Sequence, residues 1–119
     1  MANGSGARTL IESWDGTHWS VVPSPNPGAA GSIRDLSGVS CVSAAVCTAT
    51  GSSVGNQALT LIESWNGTRW RVVPSPSRGN ASYLTGVSCA SASACTATGY
   101  TLGGRQGSGT LVESGTTSG

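Results

Sequence analysis

Thr9-Leu10-Ile11-Glu12-Ser13-Trp14-Asp15-Gly16-Thr17 returns as Thr60-Leu61-Ile62-Glu63-Ser64-Trp65-Asn66-Gly67-Thr68, an offset of 60 − 9 = 51 residues. A clipped third copy, Thr110-Leu111-Val112-Glu113-Ser114, is followed by Gly115 where Trp is expected. Between the copies, Val21-Val22-Pro23-Ser24-Pro25 recurs as Val72-Val73-Pro74-Ser75-Pro76. Gly38-Val39-Ser40-Cys41 and Cys47-Thr48-Ala49-Thr50-Gly51 recur as Gly86-Val87-Ser88-Cys89 and Cys95-Thr96-Ala97-Thr98-Gly99, now at an offset of 89 − 41 = 48. Three residues are therefore lost from the proline-rich connector. Self-similarity at this period is the signature of a repeat architecture and covers nearly the whole chain.

Each repeat parses into four short strands: a over Leu36–Cys41, b over Val46–Gly51, c over Ala58–Trp65 and d over Trp70–Val73. Asp15-Gly16 and Asn66-Gly67 between c and d are strong hairpin signals. A two-residue turn there sets Trp14 opposite Thr17, Glu12 opposite Trp19 and Leu10 opposite Val21. One face of that hairpin carries Leu10, Glu12, Trp14, Trp19 and Val21; the other carries Ile11, Ser13, His18, Ser20 and Val22. Apolar groups on both faces suit a sheet covered on both sides. Strands a and b are slender, built of Gly, Ser, Ala, Val and Thr, and fit where neighbouring sheets crowd together.

Composition excludes several classes. The 119 residues are 9% charged, with six Arg, no Lys and a net charge of +1. Such a chain lacks the basic stripe that phosphate neutralisation needs, so no nucleic-acid partner is expected. Mean hydropathy is −0.01, and no apolar run is long enough to span a bilayer as a helix. One His leaves few groups that titrate near neutral pH. No enzyme activity and no cofactor are expected.

Four antiparallel strands per repeat, slender at one end and Trp-bearing at the other, describe a β-propeller blade. The fold expected is all-β, with two four-stranded blades' worth of strands per chain. It divides as a single repeat domain over 1–119: strands c and d of a shared blade at 9–30, a complete blade at 31–80, a blade lacking its outer strand at 81–114, and a tail at 115–119. The motifs WDGT or WNGT followed by Trp, VPSP, GVSC and CxAxG resemble secreted bacterial propeller repeats of the BNR/Asp-box-like class. The spacing departs from a true Asp-box, because Asp15 and Trp19 lie four apart rather than five and the second copy has Asn66. Sialidase chemistry is therefore not carried over. Strands c and d are also similar to fucose-lectin propellers with two blades per chain; that resemblance implies a sugar held between Glu12 and Trp19, or between Glu63 and Trp70.

The cysteines form two pairs, each with five residues between partners. That spacing lets Cys41 face Cys47, and Cys89 face Cys95, across the a–b hairpins. Of the three possible connectivities, only this one gives each repeat the same bond. A four-cysteine metal site is the alternative, but the spacing exceeds that of usual zinc pairs and no His partner repeats, so no metal is expected. Hairpin disulfides point to a secreted or extracytoplasmic location. Met1-Ala2-Asn3-Gly4 opens no apolar stretch, so any export signal is expected to have been removed or to lie outside this sequence. Asn3, Asn66 and Asn80 sit in glycan-sequon patterns that Gly/Ser/Asn-rich turns also generate by chance.

His18, Asp15 and Ser13 collect the residue types of a catalytic triad, but a tight hairpin offers no pocket for one, and Arg69 replaces His18 in the next repeat. The thrice-repeated Glu (Glu12, Glu63, Glu113) either accepts sugar hydroxyls beside a Trp ring or serves the framework. Its presence in every copy favours the framework. The four Trp are likewise expected to pack between blades. Function is sought in the d–a and b–c connectors, which open on one face and carry Arg34, Asp35, Asn56, Arg78, Asn80, Tyr83, Tyr100, Arg105 and Gln106. Arg34, Asp35, Asn56, Tyr83, Tyr100, Arg105 and Gln106 are the ligand-binding candidates.

The reading reached is a non-enzymatic extracellular binding, interaction or scaffold module. The alternatives are a fucose-type lectin and a piece, natural or engineered, of a longer propeller with no ligand of its own. The partners expected are further copies of the chain, as a trimer or tetramer, and a glycan or protein ligand. Two strands would then compete for one place, Thr9–Trp14 and Thr110–Ser114. The first is expected to win, with Thr110–Gly119 the weaker partner.

Overall fold

The computed structural model describes residues 6–28, 31–77, 81–91, 93–103 and 109–115. Among these there are nine β-strands and no helix. They form a two-stranded sheet and a seven-stranded sheet, and the latter is made of two meanders, so that three units follow one another along the chain. The first is the two-stranded hairpin β1 (Ile11–Trp14) and β2 (Trp19–Val22). The second is a four-stranded antiparallel meander, β3 (Ile33–Ser43), β4 (Val46–Val54), β5 (Ala58–Trp65) and β6 (Trp70–Val73). The third is a three-stranded meander, β7 (Ala81–Ser91), β8 (Ala94–Leu102) and β9 (Gly109–Gly115). Strands c and d of the complete repeat fall where the sequence places them. Strands a and b run further at their connector ends, because Ile33, Arg34 and Asp35 pair with Val54, Ser53 and Ser52.

The units are joined by a connection that itself repeats. Ala58 of β5 makes a single parallel bridge to Ala81 of β7, and Ala7, its counterpart one repeat earlier, makes the same bridge to Ile33. The joint at Ala7 consists of its amide donating to the Ser32 carbonyl at 3.1 Å and its carbonyl accepting from the Arg34 amide at 3.0 Å. Each unit thus passes the chain to the next in the same relative geometry. Strands β3 and β7 lie side by side; a Cβ on Gly38 would meet the Gly86 Cα at 3.2 Å. This is the crowding that the slender strands permit. Within each meander the first strand bulges, at Leu36/Gly38 and at Leu84/Gly86. The bulge presses a carbonyl onto the facing strand: any Cβ on Gly51 or Gly99 would run into the Asp35 or Tyr83 carbonyl.

The c–d turns differ from expectation. Trp14 stands opposite Trp19 and Glu12 opposite Val21, so the loop holds four residues and every opposed pair slips by two from the two-residue reading. A type I′ turn needs positive φ at both central residues, whereas here only Gly16 (φ 99°) has it. The Asp15 side chain takes over instead: its Oδ1 accepts the amides of Thr17 (2.8 Å) and His18 (2.9 Å), and Asn66 does the same for Thr68 and Arg69. A slip of two preserves which residues share a face. The face composition read from the sequence therefore holds.

Two clusters of buried residues lie between units rather than within one. Cys47, Ala49 and Trp70 of the second unit pack with Ile11 and Val22 of the first. Leu84, Ala97 and Leu111 of the third pack with Ile62 of the second. Each unit thus offers its Glu-and-Leu face to the Ile/Val face of the unit before it. Both disulfides form as expected, Cys41–Cys47 and Cys89–Cys95, each between directly opposed residues with Cα atoms 4.0 Å apart. Strand β9 pairs with β8 over seven residues, from Thr101–Gly109 to Cys95–Gly115, so within one chain Thr110–Gly115 holds its place; residues 116–119 lie outside the described residues.

Candidate functional site

At the turn end of the units, the a–b and c–d loops meet: the Trp65 Nε1–H donates to the Ala44 carbonyl at 3.2 Å. His18 and Asp15 sit here on open surface, with Nδ1 and Oδ2 3.6 Å apart. Amides of His18 and Thr17 hold the Asp15 carboxyl below the usual carboxylate range. Ser13 pairs with Ser20, not with His18, so the triad residue types are not assembled into one site.

The connector end carries the loop candidates, and they divide by role. Arg34 is buried at 8% exposure; its Nε–H donates to the Pro27 carbonyl at 3.0 Å and its Nη1–H to the Ala7 carbonyl. It straps the connector to the joint between units, rather than facing solvent as a ligand contact. Asp35 is exposed and accepts a hydrogen bond from the Ser52 hydroxyl at 3.0 Å. Asn56 is exposed at the tip of the β4–β5 loop. Tyr83 and Tyr100 oppose one another across β7–β8 and stack with centroids 5.0 Å apart. Arg105 and Gln106, with Arg78, Asn80 and Asn3, lie outside the described residues. Among the described residues, the exposed loop candidates at this end are Asp35, Asn56 and Tyr100, with Tyr83 half-buried against Tyr100.

A repeated clasp fixes these connectors. The Thr60 hydroxyl meets Ser75 Oγ at 2.7 Å and donates to the Pro76 carbonyl at 2.9 Å, while the Thr60 amide donates to Ser77 Oγ. Thr9 repeats the pattern on Ser24, Pro25 and Asn26. The VPSP motif is legible here as the partner of the strand-c Thr.

The repeated Glu marks the interface between units. Glu63 is wholly buried beside Ala49 and Val72, its carboxylate oxygens accept no hydrogen bond, and burial pushes its pKa up to about 7. Trp70 beside it is 9% exposed and packs on Trp65 with the rings tilted by 39° and their centroids 5.8 Å apart. Neither Glu63 nor Trp70 offers open surface to a sugar. In the first unit the same face is bare: Leu10, Trp14, Trp19 and Val21 are 53–67% exposed, and Glu12 is exposed with them. Behind it, between the hairpin and the second unit, opens a cleft of about 750 Å³ lined by Ile11, Leu36, Val39, Cys47, Ala49 and Trp70 among others. Sequence reasoning did not single out Leu36 and Val39; the signal was the slender a–b hairpin, which the first unit lacks in the described residues. No helix among the described residues is long and apolar enough to cross a membrane, and no cluster of three or more His, Cys, Asp or Glu among them would hold a metal ion. Compared with protein-family models, curated proteins and solved structures, the chain matches none.

Proposed function

We propose that the chain is a non-enzymatic, disulfide-stabilised extracellular module whose units are propeller blades, and that copies of it join into a closed ring presenting the connector end to a ligand. One observation carries this reading: the same repeat face is buried in the second unit and bare in the first. Leu61 is 2% exposed and Trp70 9%, while their counterparts Leu10 and Trp19 are 64% and 62% exposed. A bare apolar face beside an unpaired strand edge is an association surface. Head-to-tail contacts of this kind close when the rotation per chain divides a full turn. The two disulfides suit an oxidising compartment.

The ligand surface in this reading is Asp35, Asn56, Tyr83 and Tyr100, multiplied by the number of copies. Burial of Glu63 and Trp70 favours the framework role of the repeated Glu over the lectin reading. The test is solution mass by light scattering at micromolar concentration. Three or four times 11.8 kDa is expected, and a well-dispersed monomer refutes the ring. A glycan array on the assembled species then separates sugar binding from protein binding. Fucose-type binding lost in Glu12→Gln would restore the lectin reading.

A further inference from the structure

We propose that the cleft between the β1–β2 hairpin and the second unit is the seat of the β7–β8 hairpin of a second copy, in a register set by this chain's own second-to-third-unit junction. The inference rests on the ring reading and deepens it by naming the segment, the contacts and the orientation.

The occupant's chemistry follows from the repeat. At the junction within the chain, β7–β8 presents Leu84, Val87, Cys95 and Ala97; the face of β3–β4 that covers them carries Gly38, Ser40, Thr48 and Thr50. Three contacts pin that junction. Gly38 lies on Gly86, the Cys89 amide donates to Ser40 Oγ at 3.1 Å, and Thr48 Oγ1 sits 3.8 Å from Cys95 Sγ. In the cleft, the counterparts of the covered residues are Leu36, Val39, Cys47 and Ala49; Cys47 and Ala49 are already buried against the hairpin, whereas Leu36 is half-buried and Val39 is 61% exposed. The counterparts of the covering residues are Gly86, Ser88, Thr96 and Thr98 of β7–β8. Ser88, Thr96 and Thr98 are exposed in this chain. One copy thus carries both a seat left open at Leu36 and Val39 and the hairpin shaped for it.

In the seat, Gly86 of the second copy lies on Gly38, Ser88 Oγ accepts the Cys41 amide, and Thr96 meets Cys47. Strand β8 then runs along the outer edge of β1 with Ala97 opposite Glu12 and Cys95 opposite Trp14, as Ala49 and Cys47 stand opposite Glu63 and Trp65. That edge of β8 is now held by β9, with Ala97 opposite Glu113. Strand β1 therefore displaces β9.

Gly86 gives a test that separates the seam from the fold. Within this chain a Cβ at Gly86 meets only Thr98 Oγ1, at 3.7 Å, and its φ is not positive. In the seat the same Cβ takes the place of one on Gly38, 3.2 Å from a backbone Cα and 3.4 Å from a carbonyl oxygen. Gly86→Val should therefore keep the native far-UV spectrum and both disulfides. The concentration for half-assembly should rise by at least about tenfold. Thr96→Leu, which overfills the same contact from an exposed position, is the second variant should the first fail to fold. A wild-type oligomer and monomeric folded variants support the seat. A wild-type oligomer whose variants assemble at the same concentration overturns the seat and leaves the ring standing. A monomeric wild type overturns both.

Discussion

Glu63→Gln should stabilise the protein at alkaline pH and leave it almost unchanged at acid pH. The carboxyl is sealed between the first and second units, its cross-strand neighbours Ala49 and Val72 carry no charge, and its oxygens accept no hydrogen bond. Desolvation raises its pKa from 4.5 to about 7. Between those two values the native state holds more protons than the unfolded chain, so stability falls as pH rises through that window and is level above it. Fully expressed, the penalty above pH 7 is about 3 kcal/mol. Water entering a thin interface between two sheets reduces it, and about 2 kcal/mol is the expected reading. Gln keeps the shape and is neutral throughout. Like the protonated acid it leaves polar atoms buried, so the two should match near pH 4. Urea unfolding of both proteins at pH 4 and pH 8, disulfides intact and at one protein concentration, reads the difference directly. The variant's advantage should grow from about zero to about 2 kcal/mol, roughly 6–10 °C in Tm for a chain of this size. An equal difference at both pH values would show that Glu63 keeps an ordinary pKa, and the argument from burial would fall.

Two other perturbations probe the framework. Replacing Cys41 and Cys47 together by Ala opens the short staple across β3–β4 and should cost about 2 kcal/mol by denaturant titration; a change below about 0.5 kcal/mol would mean that the hairpin is held by its strand pairing alone. Thr60→Val keeps the branched shape and removes the hydroxyl that meets Ser75 and Pro76. A loss of about 1–2 kcal/mol, with faster hydrogen exchange in residues 74–77, is expected, and unchanged exchange there would refute the clasp.

The repeat made much of the fold legible because strand identity depends on local pattern. The repeated Thr-Leu-Ile-Glu-Ser-Trp run and the Trp and Val-Val that follow its turn placed β5 and β6 to the residue, and the paired cysteines placed the register of β3–β4 and β7–β8. Turn chemistry was legible in kind but not in form. Asp15-Gly16 marks a hairpin, yet whether two or four residues turn depends on whether the Asp carboxylate captures the Thr17 and His18 amides, which a dipeptide signal does not encode. Arg34 was misplaced for a related reason. An Arg at the start of a strand in a solvated connector is ordinarily a surface group, and only the joint through Ala7 and Pro27 makes it a buried strap.

Site chemistry was the least legible, and the repeated Glu shows why. Glu12, Glu63 and Glu113 stand in one local sequence, yet the first is exposed, the second fully buried and the third half-buried. Nothing within the repeat distinguishes Glu12 from Glu63; what differs is the company each keeps. Glu63 has a unit in front of it and a complete four-stranded sheet around it. Among the described residues, Glu113 has the unit in front but no fourth strand beside β9, and Glu12 has no unit in front. A side chain's role in a repeat protein is therefore set by the neighbour across the interface, and the sequence of one copy reports only half of that interface. The same property makes the bare face informative. Because the repeats are equivalent, the partner that Glu12, Trp14 and Trp19 await must resemble the one that already covers Glu63, Trp65 and Trp70. In the ring that partner is the second unit of the neighbouring copy, whose Ile62 already packs against Leu84, Ala97 and Leu111 of the third unit that β1–β2 joins. A surface that the chain both displays and can cover is a surface for another copy of itself.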